Sequence, residues 1–154
     1  MTKPARAARP AAAAEPAQPR TGADWALVGL ISAVALLSGV LEVLLVPLYA
    51  GSVLVPLSAV LAVLGNLALP RLGFATIRMP AGALIPVLSW LVPVLALVVI
   101  ARPEGDILVA GGGAQQWNYY AMVLLGGGAG FGSFVMAGSR AAAPTSTGTR
   151  GRAS

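Results

Sequence analysis

Glu42 is the only Lys, Arg, Asp or Glu inside any of the long apolar runs of this chain. A carboxylate in such a setting marks a proton relay, an ion path or a structural pair. Val28, Ala35, Ser38, Gly39 and Glu42 fall on one helical face by their three- and four-residue spacing. That face is small and slightly polar, which suits a stripe turned toward other helices. Arg102 follows the third apolar run at the same membrane level and is the candidate partner for an ion pair with Glu42. The second candidate feature is Gly126-Gly127-Gly128-Ala129-Gly130-Phe131-Gly132-Ser133. It lacks the Lys-Ser/Thr of a phosphate loop and is not in register for a dinucleotide fingerprint. Gly126 with Gly130, and Gly128 with Gly132, have the four-residue spacing that lets helix backbones approach closely. These four glycines are therefore expected to serve helix packing.

Other chemistries are excluded by residue type. The chain has no cysteine and no histidine, which removes thiolate metal sites, cysteine nucleophiles and the commonest general base near neutral pH. The runs contain no Ser-His, His-Glu-x-x-His or paired-aspartate arrangement. No enzyme activity, cofactor or metal is expected. Ten basic against five acidic residues give a net charge of +5. The basic residues lie between apolar runs and do not gather with aromatics, so nucleic acid is not an expected partner.

The elements that carry these residues must be membrane helices. Of 154 residues, 57% are hydrophobic and only 10% charged, and the mean hydropathy is +0.83; an ordinary soluble domain carries about 25% charged residues. Four apolar segments fit at about 25–46, 52–69, 81–101 and 117–137, each near the length that crosses a ~30 Å hydrocarbon core at ~1.5 Å per residue. They show no strand-like alternation, so a β-barrel is excluded. The predicted fold class is an all-α membrane protein, a four-transmembrane-helix bundle at 25–138. Residues 1–24 and 139–154, rich in Ala, Pro, Gly and Arg, are expected to be disordered tails. Pro47, Tyr49 and Gly51 predict a tight turn after the first span, and Pro70 to Pro80 predicts a loop after the second. Pro56, Pro86 and Pro93 predict kinks. Asn66 lies too far toward the other membrane face to reach Glu42, and suits an interhelical hydrogen bond or an interface. Ser58 and Ser89 can bond back to their own helices.

Charge placement predicts orientation. Lys3, Arg6, Arg9 and Arg20 precede the first span, Arg71 and Arg78 follow the second, and Arg140, Arg150 and Arg152 follow the fourth. Four spans put these nine on one side and leave Arg102, beside Glu104 and Asp106, on the other. The positive-inside rule makes that richer side cytoplasmic. Trp25, Tyr49, Trp117, Tyr119 and Tyr120 sit at the span ends, where interfacial aromatics belong.

Four spans, short loops, Ala/Pro/Arg-rich tails and the Pro103-Glu104-Gly105-Asp106 segment resemble the small integral membrane proteins of uncharacterised function common in actinobacteria. The resemblance covers the span region and implies a multi-pass protein of the bacterial plasma membrane. It transfers no functional residue. Two functions compete. One is a non-enzymatic accessory or assembly component of a cell-envelope complex, acting through a helix face on a membrane-protein partner or a second copy. The other is a small proton-coupled transporter or channel built around Glu42.

Overall fold

The computed structural model describes residues 20–99 and 113–142. It contains helices α1 (Gly22–Leu44), α2 (Leu57–Ile77), α3 (Pro80–Val99) and α4 (Gly113–Ala142), with a short β-hairpin, β1 (Tyr49–Ala50) and β2 (Val53–Leu54), between α1 and α2. All four helices are long and apolar enough to cross a membrane, so the chain has the architecture of a multi-pass membrane protein. Both Ala/Pro/Arg-rich tails and the connection that holds Arg102 fall outside the described residues, except at their edges.

Those edges differ from the expected boundaries. Thr21 forms a capping box: its Oγ1 accepts from the Asp24 amide at 3.4 Å, and its own amide donates to Asp24 Oδ2 at 2.7 Å. This satisfies the first amides of α1 and brings Gly22–Asp24 into the helix instead of the tail. At the other end α4 runs five residues past the expected 137, to Ala142.

Residues 52–56, predicted to begin the second span, instead belong to the hairpin and its exit. Tyr49 pairs with Leu54 and Ala50 with Val53 around Gly51, whose φ is +64°. A glycine with positive φ at the first central position suits a two-residue hairpin turn. The Val55 amide donates to the Leu48 carbonyl at 2.9 Å, so the hairpin continues up to Pro56. Its cross-strand backbone groups are thereby paired without a helix.

The loop predicted at 70–80 is also replaced. Helix α2 passes through Pro70 and ends at Ile77, capped by Arg78 in the left-handed conformation with φ 52° and its amide donating to Phe74 O at 2.7 Å. Pro80 then opens α3, a position where its missing amide proton costs nothing. A membrane explains the difference. Apolar Leu72 stays on the outer face and Ile77 is buried inside the bundle; unpaired backbone groups are expensive in either place, so one lost bond at Pro70 is preferable to an open loop.

Helices α1 and α2 are antiparallel, as are α2 and α3, whereas α2 and α4 run parallel: Gly126 faces Ala62 and Gly130 faces Asn66, the numbers rising together. The most extensive seams are α2–α4 and α1–α3. The core holds Ala35, Val43, Ala62, Trp90, Val94 and Met122. Leu30, Leu124 and Phe131 point outward, as lipid-facing side chains do. At the end where α4 begins, Asn118 Nδ2 donates to the Val46 carbonyl at 2.8 Å and Tyr119 Oη donates to the Val94 carbonyl at 3.2 Å. These bonds tie α4 to the end of α1 and to α3.

Candidate functional site at Glu42

The α1 face singled out by spacing is turned inward. Val28, Ser32, Ala35, Gly39, Glu42 and Val43 are its buried residues, and Ser38 is half-buried beside them. Ser32 returns its hydroxyl to the Val28 carbonyl at 2.8 Å and needs no other partner. Ser38 does not do this. Its Oγ donates to Glu42 Oε1 at 2.6 Å, so adjacent turns of α1 join through side chains.

The other carboxylate oxygen is met from α3. Trp90 Nε1 donates to Glu42 Oε2 at 2.7 Å. Glu42 is 1% exposed and Trp90 2%, so this bond lies inside the bundle, away from water. A side chain on a helix leans toward the helix N-terminus, which carries the carboxylate deeper than its place near the end of α1 suggests. Trp90 is nine residues before Val99, the end of α3, about 13 Å of helix rise. The site therefore lies inside the bundle and not at its end.

Glycines make room for Trp90 on two sides. A Cβ on Gly39 of α1 would stand 2.7 Å from the Trp90 carbonyl oxygen, and a Cβ on Gly126 of α4 would stand 3.1 Å from the far edge of its indole. Trp90 thus spans the bundle interior, with its N–H on α1 and its benzene edge on α4. Spacing along the chain did not single it out. The available signal was chemical: a buried indole N–H needs an acceptor, and Glu42 is the one buried carboxylate among the described residues.

On its α2 side the carboxylate faces a glycine. A Cβ on Gly65 would lie 3.7 Å from Ser38 Oγ and 3.8 Å from Glu42 Oε1, both ordinary contact distances. Above this floor the α1–α2 seam opens sideways into a groove of about 520 Å³, walled by Val34, Leu41, Leu61, Leu64 and Leu69. Of the residues that line it, only Glu42 carries charge. An ionised carboxylate has about four acceptor positions, of which two are used here. The arrangement is a buried acid held by two neutral donors at the bottom of an apolar lateral cleft.

Arg102 lies outside the described residues, and so does the ion pair anticipated for it. The four glycines of the α4 run separate into two pairs. Gly126 packs against Ala62 and Trp90, and Gly130 against Asn66 and Val87, with a Cβ at Gly130 coming 3.0 Å from Asn66 Oδ1. Gly128 and Gly132 have nothing within 4 Å of a Cβ. Two residues along a helix is a rotation of about 200°, so both pairs cannot face the same neighbour. Asn66 is buried, but its Nδ2 returns to Ala62 O of its own helix at 3.0 Å and forms no interhelical bond. Ser58, expected to bond back in that way, is buried with no partner for its Oγ. Matches to family models, to curated proteins and to solved structures were all sought, and none was found.

Proposed function

We propose that this chain is a non-enzymatic protein of the bacterial inner membrane, with both termini cytoplasmic, that acts as a small proton-coupled transporter or channel using Glu42. The observation that carries this reading is the buried carboxylate at the floor of a lateral groove between α1 and α2. An intramembrane acid marks a relay, an ion path or a structural pair, and a purely structural pair would not need a cleft of about 520 Å³ beside it. In proteoliposomes with an imposed pH gradient, wild-type protein should carry a proton flux that Glu42→Gln abolishes while its melting temperature stays within a few degrees. An equal flux in both proteins would overturn the reading.

The orientation is tested independently. A cysteine at Gly112 should react with an impermeant maleimide in intact cells and one at Ser146 should not, with no background from native thiols. The reverse pattern would invert the topology.

A second reading makes the chain an accessory or assembly component of a cell-envelope complex. It is favoured by the outward α4 positions Gly128 and Gly132, where a Cβ would meet nothing within 4 Å and a small-residue notch is left between exposed Leu124, Phe131 and Val135 for another helix. Leu at either position should then abolish co-purification of a membrane-protein partner or a second copy, and leave Glu42-dependent flux intact.

A further inference from the structure

The polar floor of the α1–α2 groove is more specific than a single acid. Ser38 is half-buried and lines the groove, whereas Glu42 is 1% exposed and sits behind it. A hydroxyl has one hydrogen and two acceptor lone pairs. Ser38 spends its hydrogen on Glu42 Oε1 at 2.6 Å. Toward the groove it therefore offers only lone pairs, and a ligand there has to be a donor. The carboxylate immediately behind the hydroxyl adds negative charge in a low-dielectric setting, where charge acts strongly. No lining residue supplies a positive counterpart. The remaining walls are aliphatic and run along α1 from Val34 to Leu45, about 16 Å of helix rise.

We propose that this groove binds a protonated long-chain amine that enters sideways from the lipid, its ammonium donating to Ser38 Oγ in front of the Glu42 carboxylate and its alkyl chain lying along Leu41, Leu61 and Leu64. The proposal rests on the reading of the Glu42 groove as a binding site and names its substrate class. Gly65 is the thin wall of the site: with no side chain there, the ammonium end can settle between the two helices above Ser38.

The test uses full-length protein in lipid nanodiscs and a dodecylamine bearing a terminal diazirine as photoprobe. Labelled residues should map to the α1 and α2 segments that line the groove. Unlabelled dodecylamine should compete at a concentration at least tenfold below that needed with dodecanol, which donates but has no charge, or with dodecyltrimethylammonium, which has charge but cannot donate. Ser38→Ala and Glu42→Gln should each weaken competition by tenfold or more. Gly65→Leu should block labelling in the fraction that elutes folded and monodisperse, and Gly65→Ala, whose Cβ meets only ordinary contacts, should keep the fold. Equal competition by dodecanol would reduce the groove to an apolar cleft and overturn the proposal. So would unchanged labelling in both folded floor variants. Amine binding without any proton flux would sustain this proposal and defeat the transport reading. Glu42-dependent flux with no amine competition would do the opposite.

Discussion

Helix α1 makes two unlike seams with its neighbours. Against α3 it closes on bare backbone at Gly39, where even a methyl group would collide with the Trp90 carbonyl; against α2 it stays apart at Gly65, where a methyl would meet Ser38 and Glu42 at normal distance. Both positions are glycines in apolar helices, and composition gives them the same meaning. Packing gives them opposite ones. At the first, glycine lets two helices touch; at the second, its missing side chain leaves space above an acid. The closed seam holds the Trp90–Glu42 bond in place, and the open seam leaves a groove beside it.

The largest expected effect tests closure itself. Gly73 of α2 and Gly82 of α3 pack backbone against backbone, each placing a carbonyl where the other would carry a Cβ. Neither carbonyl can move without displacing its helix. Gly73→Ala or Gly82→Ala should therefore cost more than the ~1–3 kcal/mol typical of overpacking, seen as loss of the folded monodisperse fraction in detergent. Gly39→Ala, against one backbone oxygen at 2.7 Å, should fall within that range.

Next is the bond that the closed seam holds. Trp90→Phe removes the donor to Glu42 Oε2 and leaves a buried acceptor unpaired, a loss of about 1–3 kcal/mol. Thermal melts of Trp90→Phe, Glu42→Leu (which leaves no acceptor) and the double variant should show a coupling between about 0.5 and 3 kcal/mol, as expected for residues in contact. Additive effects would mean that the two side chains are not linked in solution. The same cycle with Arg102→Gln asks whether the expected ion pair contributes as well.

A smaller contrast lies within α4. Gly126→Ala meets Ala62 Cβ at 2.7 Å and should destabilise, whereas Gly128→Ala meets nothing. The latter should be neutral, or stabilising by up to ~1 kcal/mol from the better helix propensity of alanine. The two variants are one methyl each and differ only in the direction they face. Equal melting temperatures would contradict the packing of Gly126 against Ala62 of α2.

The smallest change is expected at the open seam. Gly65→Ala should leave the melting temperature unchanged or slightly raised, since its contacts at 3.7 and 3.8 Å are ordinary ones. A loss as large as that of Gly39→Ala would show that the groove is closed in the folded protein.

Hydropathy and length along the chain were enough to determine four membrane helices, because a bilayer demands long apolar segments with internally paired backbones and that demand is local. Residue spacing likewise placed Ser38, Gly39 and Glu42 on one face, since 3.6 residues per turn is a property of any helix. The segment from Pro70 to Pro80 misled for a related reason: Pro, Gly and Arg signal a loop where water can pair the freed backbone, and lipid cannot. Only the tertiary structure decided that Glu42 meets Trp90, that Gly126 faces inward while Gly128 does not, and that α1 and α2 part above Ser38. Those facts depend on the rotation and axial shift of one helix against another. Trp90 is 48 residues from Glu42, and no local pattern encodes that distance; it is set when all four helices pack together.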